Sequence, residues 1–283
     1  MISDMSQWLS EYPGAWVSSK ASLGENVAIG IGSIVYDNVC VGDNTSIEEH
    51  CVIGKFSQLT NGPLVIGAGS IIRSHTVVYQ DSILAERLET GHHVVIRERT
   101  NAGINLRVGN FSDIEGNCSI GDYCRCHSYV HIGKGSKLGH FIWLYSLTTL
   151  TNDPLPPSRL HCPVEIQDGA VVCVGSTVLP GAILGRGCFI TAGARVSGTI
   201  QDGAVITSDN CVAGHVSNLM HMETATRHPW MNHFMQVYPE CCHDRLRQLS
   251  ADIMSTKKKI RAAHQEWRKT TPALPREGKE NPQ

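Results

Sequence analysis

Aliphatic residues recur at every sixth position over most of the chain. A period of six fits neither the 3.6-residue period of a helix nor the two-residue alternation of a strand. The spacing predicts instead a short strand followed by a turn, repeated many times. The members of the series run from Leu23 to Leu59, from Ile66 to Leu84, from Ile96 to Leu150, from Ile166 to Val196 and, in a shifted register, from Ile200 to Val212.

We number the aliphatic residue of each repeat i. Two further positions of the repeat, i+1 and i+4, then have characteristic residue types. Position i+4 is small or branched, as at Ser112 and Val130, with Leu106 and Ile142 as bulky exceptions. Position i+1 is often glycine. We expect the side chains at i and i+4 to point inward and the glycine to permit the corner. Three repeats then make one triangular coil, and the coils stack at the strand spacing of ~4.7–4.9 Å.

The composition agrees with a narrow interior. Aromatic residues make up only 6% of the chain, whereas glycine occurs 27 times. Eleven cysteines, an odd number with no CxxC pair, argue against a disulfide framework and favour a reducing cytosol. We interpret four of them as small core residues, because they stand at position i+4: Cys51, Cys118, Cys124 and Cys188.

Charge and hydropathy exclude several classes of partner. The formal net charge is −2, which gives no general attraction to nucleic acid or to an anionic membrane. No apolar run reaches the length of a membrane-spanning helix, and residues 1–20 lack the basic start and apolar core of a signal peptide. We therefore expect a cytoplasmic protein with neither nucleic acid nor membrane as a partner.

The pattern [LIV]-G-x-x-[STAC]-x, repeated over residues 23–216, resembles that of the hexapeptide-repeat acyltransferases. The resemblance implies a mainly β fold, a left-handed parallel β-helix, whose handedness the spacing alone does not give. It also implies transfer of an acyl group from acyl-CoA or an acyl carrier protein to an amine or hydroxyl. Members of that family are usually homotrimers with active sites between neighbouring subunits.

Three segments interrupt the repeat, and insertions in a solenoid often carry function. We predict a short jog at 60–65, a polar excursion at 85–95 and a proline-rich substrate loop at 151–165. The domain organisation is then a lead-in at 1–22, the β-helix at 23–216 and a helical extension at 217–268. In the extension, spaced apolar residues over 240–267 predict an amphipathic helix that caps the solenoid or contacts a neighbouring subunit. Residues 269–283 are polar and are expected to be disordered.

Residues 90–158 indicate which class of acceptor substrate the resemblance implies. TGHHVVIRERTNAG and LTNDPLPPS resemble segments of the nucleotide-sugar amino N-acetyltransferases that build bacterial surface glycans such as the lipopolysaccharide O-antigen. The resemblance implies acetyl-CoA as co-substrate, no required metal, and the amine of a UDP- or dTDP-linked amino sugar as acceptor. In that group the TND segment leaves the helix and faces the sugar.

Three residues are the catalytic candidates. His140 lies at i+2, an outward corner position, and a histidine suits the removal of a proton near neutral pH; the other interpretation is a hydrogen-bonded surface histidine. Asn152 and Asp153 match the TND segment. Sugar O-acetyltransferases of this superfamily carry His before the proline, so Asp153 suits an amine, whose charge a carboxylate attracts. The alternative is an Asn-Asp pair that only forms a turn before Pro154.

Other candidates contact the substrates. For the acceptor we name His92 and His93, with Arg97 and Arg99 for the diphosphate, and His127 and His131, which could equally lie at a subunit interface. The resemblance places the CoA in a groove between subunits along the later coils. Groove residues would be Ser176, Ala192 and Gly193, with Arg186 and Arg195 meeting the phosphates.

Three other functions stay open on the same fold. The first is an O-acetyltransferase acting on a sugar or another small molecule. The second is a γ-type carbonic anhydrase, which needs three histidine ligands, although His127, His131 and His140 occupy positions that point in different directions. The third is a β-helical scaffold without catalysis, against which the proline-rich loop and the histidine pair argue.

Overall fold

The chain forms a left-handed parallel β-helix in the computed structural model, which describes residues 12–260 and 262. Within that part of the chain, 31 short strands lie in three sheets, two of ten strands and one of eleven. Strands pair in parallel with the strand three places later, so each coil contributes one strand to each sheet. The exception is the last pair, Ala204–Thr207 with Cys211–His215, which are consecutive and antiparallel. The molecule is therefore a three-sided prism, as the six-residue period predicts.

We number the faces in chain order, and the first, second and third corners follow the first, second and third faces. The first face contains Trp16–Val17, Ile34–Val35, Val52–Lys55, Val77–Tyr79, Val95–Ile96, Asp113–Ile114, His131–Ile132, Thr149–Leu150, Thr177–Val178 and Arg195–Val196. The second contains Ser22–Leu23, Val39–Val41, Leu64–Ile66, Ser82–Leu84, Asn101–Ala102, Ser119–Ile120, Lys137–Leu138, Glu165–Ile166, Ile183–Leu184 and Thr199–Ile200. The third contains Ala28–Ile29, Ser46–Ile47, Ile71–Ile72, Glu89–Thr90, Arg107–Val108, Arg125–Cys126, Trp143–Leu144, Val171–Val172, Phe189–Ile190, Ala204–Thr207 and Cys211–His215.

The interior consists of stacked rows of like side chains. On the first face, Ile96 pairs with Ile114, which pairs with Ile132, and all three are almost completely buried. The small residues at i+4 fill the spaces beside them, and the four predicted core cysteines are 0–2% exposed. Burial raises the pKa of the Cys51 thiol to about 11. The described cysteines are all free thiols.

The corner geometry differs from the expectation for glycine. The left-handed backbone occurs mainly at i+3, for example at Asn105 (φ 57°) and Gly175 (φ 68°), and among the glycines of position i+1 it occurs at Gly54 alone (φ 81°). Those glycines are needed because the next coil passes very close. A Cβ on Gly30 would lie 2.5 Å from the backbone nitrogen of Glu49, and one on Gly42 2.5 Å from that of Ala68. Glycine at i+1 therefore permits the stacking of coils rather than the turn.

Two of the three predicted breaks need correction. The first departure from the prism occupies residues 56–63, earlier than 60–65, since Leu64 already lies in a strand and Leu59 is exposed. Residues 85–95 are not an excursion but a regular part of a coil. Thr90 takes the inward place of the missing aliphatic residue and is fully buried. At the third break, residues 151–164 lie outside any strand.

The chain after the prism forms an extension that packs on its side. The helices Met231–Phe234 and His243–Ser255 lie within it, together with 3-10 turns at Ser208–Asn210, Val216–Asn218, Met235–Val237 and Glu240–Cys242. The longer helix packs at the second corner, where a Cβ on Gly169 would lie 2.9 Å from Leu249 Cδ2. Further along, Ile260 belongs to the same buried cluster as the prism interior.

The predicted extents of the N-terminal lead-in and the C-terminal tail fall partly outside the described residues. These are residues 1–11, the predicted helix end at Trp267 and the tail at 269–283. Over the ranges that the structure describes, none of the helices combines the length and the apolar character needed to cross a bilayer.

Candidate active-site groove

The loop 151–164 replaces the first corner in its coil and is tied to the prism at its base. The backbone amide of Cys162 donates to the Asn152 carbonyl (2.7 Å), and the amide of Gly181 donates to the Cys162 carbonyl (2.7 Å). The Asn152 side-chain amide lies 3.4 Å from the Lys134 carbonyl, one coil earlier. The loop therefore leaves the prism from a fixed base, with residues 155–161 exposed.

Asp153 organises this loop. Its Oδ1 accepts from the amide of Leu155 (3.0 Å) and the hydroxyl of Ser158 (2.7 Å), and its Oδ2 accepts from the amide of Ser158 (3.1 Å). The Ser158 hydroxyl is the main cause that lowers the pKa of the Asp153 carboxyl. Both carboxylate oxygens already serve the loop, which agrees with the turn-forming interpretation of the Asn-Asp-Pro sequence.

A pocket of about 370 Å³ opens beneath the loop on the second face. Lys134 and Lys137 line it, and neither ammonium group has an ion-pair partner among the described residues. His161 of the loop faces them. The rest of the lining is Asn117, Ser119, Gly135 and Pro163.

A second pocket of about 370 Å³ continues across the same face and shares Lys137 with the first. It extends to the second corner, where Asp168 and Arg186 line it together with Glu165. We call the two pockets together the second-face groove. One edge of the groove is the loop at the first corner, and the other is the second corner, to which the C-terminal helix is docked.

His140 lies at that second corner. Its backbone amide donates to Asp168 Oδ1 (2.8 Å), and its Nδ1 lies 2.9 Å from the Asp122 amide nitrogen and 3.0 Å from Asp122 Oδ2. Arg245 of the C-terminal helix approaches the same carboxylate at 3.4 Å and Asp168 Oδ2 at 3.8 Å. A single ring nitrogen cannot accept from the amide and donate to the carboxylate at once, so the two contacts imply different tautomers.

The repeat supports one of these tautomers. In other coils a side-chain oxygen at i+2 accepts the amide N–H of the residue one coil earlier, as in the pairs Asp43–Glu25, Asn110–His92, Asp122–Ile104, Asp168–His140 and Asp202–Arg186. His140 occupies this acceptor place for the Asp122 amide. In this role its Nδ1 carries the lone pair, and the neutral ring is a donor at Nε2.

Comparisons with known proteins agree with this architecture. Residues 20–55 match the family described as bacterial transferase hexapeptide (six repeats). Residues 20–55 carry the transferase hexapeptide repeat. The resemblance read from the sequence is thus confirmed for the repeat and its fold.

The bifunctional protein GlmU of Clostridioides difficile (strain 630) is 27% identical over 167 residues, which is 54% of this chain and 35% of GlmU. GlmU of Exiguobacterium sp. is 28% identical over 176 residues, with 54% and 36% covered. The match thus spans about a third of the length of these relatives. An Arabidopsis UDP-N-acetylglucosamine acyltransferase has the same fold, with a TM-score of 0.55, 18% identity, and 93% of this chain and 97% of that one covered.

The hexapeptide coils distribute the predicted acceptor-binding residues over two corners. His92 and His93 are at the third corner, where His92 Nδ1 lies 2.8 Å from Ser74 Oγ and the His93 ring stacks between His75 and Phe111. Arg97 and Arg99 are at the first corner, several coils before the loop, and both are paired. Arg97 binds the nearly buried Glu98 (2.8 Å), and Arg99 binds Asp81 (3.2 Å). Each guanidinium therefore has a carboxylate partner, while the side chains of Arg97 and Arg99 are 43% and 47% exposed.

His127 and His131 point outward on different sides. The His127 ring stacks on Tyr145 at 4.5 Å beside the third face, and partial burial lowers its pKa. His131 lies on the first face, where its Nδ1 contacts Asp113 Oδ2 at 2.9 Å and this hydrogen bond raises its pKa. Since His140 is at the second corner, the three histidines weighed for a carbonic anhydrase do not converge within one chain.

The residues predicted to bind CoA also lie on different parts of the prism. The prediction that Ser176 lines the CoA groove is wrong. Ser176 is fully buried inside the prism, and its hydroxyl donates to the Thr191 carbonyl (2.9 Å). Ala192 and Gly193 are exposed at the third corner. The remaining two are Arg195, on the first face, and Arg186, at the second corner. Arg186 is held by Asp202 (2.8 Å) and Asp252 (3.3 Å), which links the prism to the C-terminal helix.

Sequence reasoning missed Lys134, Lys137 and His161. A signal was available, because the segment GKGSKLG places two lysines at outward positions in the coil before the proline-rich loop. The repeat alone shows that such residues face outward. It does not show that the loop folds back over the same side, and that decides which outward residues line a pocket.

Proposed function

We propose that this chain is an acyltransferase that moves an acetyl group from acetyl-CoA to the amine of a UDP- or dTDP-linked amino sugar. It would work in the cytoplasm as a homotrimer, with the second-face groove forming one wall of the active site. The observation that carries the proposal is the groove itself, which is bounded by a tethered proline-rich loop. It contains two lysines that pair with no carboxylate of residues 12–260.

The lysines support a phosphate-bearing substrate. Two ammonium groups in one pocket attract a diphosphate, and a charge-assisted hydrogen bond is about twice as strong as a neutral one. The amide of Asn117 and the hydroxyl of Ser119 add neutral hydrogen-bonding groups to the same pocket. A nucleotide sugar and CoA both carry a diphosphate, so both substrates of the proposed reaction have the chemistry that this groove accepts.

The reaction itself makes modest demands. The neutral sugar amine attacks the thioester carbonyl, the C–S bond breaks, and the departing thiolate takes the proton that the nitrogen loses. The protein must bring the two substrates together and stabilise the tetrahedral oxyanion. With its proton on Nε2, His140 supplies a donor for the oxyanion or the sugar, and no side chain need act as the base.

A hydroxyl acceptor is the second candidate, and one contact favours it. Nδ1 of His140 is 3.0 Å from Asp122 Oδ2. In the tautomer with the proton on Nδ1, the carboxylate orients the ring and leaves Nε2 as a base, as a hydroxyl acceptor requires. The hydrogen bonds that already saturate Asp153 also weaken the argument for an amine.

A thiol-release assay with acetyl-CoA tests the proposal. We expect turnover with UDP- or dTDP-linked amino sugars and none with the matching hydroxy sugars. Preference for the hydroxy sugars would instead establish the O-acyl alternative. Release of no thiol with any acceptor would contradict the enzyme proposal and favour a scaffold.

The groove is tested by removing its charges. We expect Lys134→Met and Lys137→Met each to raise KM for the nucleotide sugar about tenfold, the loss of one charge-assisted contact. Lys258→Met removes an equal charge from the exposed surface beyond the C-terminal helix and should leave KM unchanged. An unchanged KM in both groove variants would place the substrate elsewhere.

His140→Asn separates the two roles of His140. Asparagine retains an acceptor for the Asp122 amide, as Asn110 does for His92, but cannot act as a base. If the acceptor is an amine, His140→Asn loses only the Nε2 donor, so we expect the pH profile of kcat to be retained even where kcat itself falls. A loss of about 10²–10⁴-fold with disappearance of the acidic limb would assign the base to His140.

A further inference from the structure

The C-terminal helix brings a permanent positive charge to the second corner beside His140. Arg245 Nη1 lies 3.4 Å from Asp122 Oδ2, and its Nη2 lies 3.8 Å from Asp168 Oδ2. Asp122 is one coil before His140, and Asp168 is one coil after it. His140 therefore lies between two carboxylates that share one guanidinium.

The two carboxylates turn the same oxygen towards Arg245 because the other oxygen belongs to the corner itself. Asp122 Oδ1 accepts from the amide of Ile104 (3.0 Å), and Asp168 Oδ1 accepts from the amide of His140 (2.8 Å). Oδ2 of each residue is left to meet the helix. That of Asp122 also lies 3.0 Å from His140 Nδ1, so the histidine ring and Arg245 contact the same oxygen atom.

Packing fixes the position of Arg245. Its guanidinium carbon lies 5.1 Å from the centre of the Phe141 ring, a favourable contact between a cation and a π face. The next residue of the helix, Leu246, is fully buried in the same cluster as Phe141. Arg186, one coil beyond Asp168, is bound by two carboxylates of its own. Among the described residues, Arg245 is thus the only lysine or arginine that pairs with either carboxylate beside His140.

We infer that Arg245 is a positioning residue for His140, through which the C-terminal extension sets which ring nitrogen carries the proton. Nδ1 faces both the Asp122 amide, which needs a lone pair, and Asp122 Oδ2, which attracts a proton. A guanidinium at that oxygen offsets its negative charge and weakens its attraction for the proton. Nδ1 then keeps its lone pair for the amide, and the proton stays on Nε2.

The inference rests on the proposed function for its consequence in catalysis. Nε2–H is the donor that the proposed transfer uses at the oxyanion or the sugar, and the second-face groove reaches this corner at Gly139 and Asp168. None of the described residues of the extension lines the groove. The extension therefore acts on the reaction through the state of one side chain rather than by touching substrate.

Magic-angle-spinning NMR of the full chain, with its histidines labelled with nitrogen-15, tests the inference without substrate or turnover. The chemical shifts of the two ring nitrogens report which one carries the proton, and His140→Asn identifies the His140 signals by their loss. At about pH 8, where histidine is normally neutral, we expect the wild type to carry the proton on Nε2. Arg245→Met should raise the ratio of the Nδ1–H to the Nε2–H tautomer about two- to fivefold, the effect of one exposed charge contact.

Further variants separate this role from simple docking of the helix. Arg245→Lys retains the charge and should keep most of the wild-type ratio, whereas Arg245→Gln replaces Arg245→Met if the latter does not fold. Arg247→Met removes a charge that pairs with the exposed Asp244 on the same helix, and should leave the ratio unchanged. Asp122→Asn keeps an acceptor for the Ile104 amide but removes the competing charge. In that background Arg245→Met should have no further effect.

The inference is wrong if the wild type carries the proton on Nδ1, if Arg245→Met leaves the ratio unchanged, or if Arg247→Met changes it equally.

In the thiol-release assay, Arg245→Met should lower kcat in proportion to the lost Nε2–H fraction and leave KM for the nucleotide sugar unchanged, unlike Lys134→Met. An unchanged or raised kcat with a shifted ratio would reject the link to catalysis. No thiol release by the wild type would reject the proposed function and leave the NMR result standing.

Discussion

The prism and its C-terminal extension are stabilised in different ways. Inside the prism, aliphatic and small side chains repeat along three faces, and each coil pairs only with its two neighbours. The extension has no repeat and packs through large rings, among them Trp230 and Tyr238, which are 6% and 4% exposed. Stability is therefore spread over many equivalent contacts in the prism but depends on a few side chains in the extension.

The contrast also explains why the groove lies on the second face. The second face stays open between a loop and a helix, and its outward side chains are polar. The third face is covered by the extension, and its outward side chains change along the prism from Glu89, Arg107 and Arg125 to Trp143, Val171 and Phe189. The extension packs mainly where the row becomes apolar, because covering the charged part would remove ions from water. It reaches the charged part at Arg125, whose guanidinium carbon lies 5.8 Å from the centre of the Tyr238 ring.

The largest expected effect is the loss of the central ring of the extension. Trp230→Ala removes a buried indole and its hydrogen bond to Gly169, and should cost about 3–5 kcal/mol. We expect the extension to unfold in a separate transition below that of the prism, measured as loss of near-UV circular dichroism before loss of far-UV signal. Trp16→Ala, at a half-exposed tryptophan of the first coil, is the control. A single cooperative transition in Trp230→Ala would show that the two regions are not independent.

A smaller effect is expected at the glycines on which the helix rests. Gly187 and Gly175 share a left-handed backbone (φ 57° and 68°), but a Cβ on Gly187 would collide with Ile253, whereas one on Gly175 meets nothing within 4 Å. Gly175→Ala should cost about 1–2 kcal/mol from the backbone alone. Gly187→Ala should cost about 1–3 kcal/mol more from overpacking.

Chemical denaturation of both glycine variants measures that difference. Equal free energies of unfolding for the two would mean that the helix does not rest on Gly187. A further comparison with Gly193→Ala, again at a left-handed glycine with open space around its Cβ, should reproduce the value for Gly175→Ala.

The smallest expected effect is the pH dependence of the stability of the two regions. Because the pKa of His228 is lowered in the folded chain, its contribution to stability is present above its unfolded pKa of about 6.5 and is lost as pH falls towards its folded value of about 4. The pKa of His131 on the prism is raised by Asp113, so its contribution has the opposite sign and is lost as pH rises through the folded value.

We therefore expect acidification from pH 7 to pH 5 to weaken the extension before the prism. The measurement compares the change in tryptophan fluorescence with the change in far-UV circular dichroism over this range. His228→Leu should reduce this dependence, and His50→Leu, on the exposed third corner, should not. Equal acid sensitivity of both signals in the wild type would contradict the different contributions of the two histidines.

The prism was predictable from the sequence because its period is local. Leu59 and Thr90 show the limit of that prediction. Leu59 is in phase with the series yet lies on a loop, whereas Thr90 is a polar residue that occupies an interior place and thereby conceals a regular coil. A side chain at position i predicts burial only when the neighbouring coils are in register, and strand pairing between coils sets that register.

The candidate site was predictable only in part. The loop at 151–165 and the outward position of His140 follow from the sequence. The loop contributes His161 and Pro163 to the groove, whereas His140 lies at the second corner between the lining residues Gly139 and Asp168. Ser176 was placed in a groove although position i+4 points inward, so the repeat itself contradicts that choice. Arg97, Arg99 and Arg186 show the reverse problem, since a basic residue in a sequence does not reveal the carboxylate that neutralises it.

The six-residue period alone determined the three-sided prism, its narrow interior and the direction of most side chains, because each depends on residues a few positions apart. The tertiary structure decided which outward residues share a pocket. Stacking brings positions eighteen or more residues apart into contact, and the loop and the extension each cover only one part of the prism surface. The hydrogen-bond partners of His140 and Asp153 belong to this second group, because they are set by position in space.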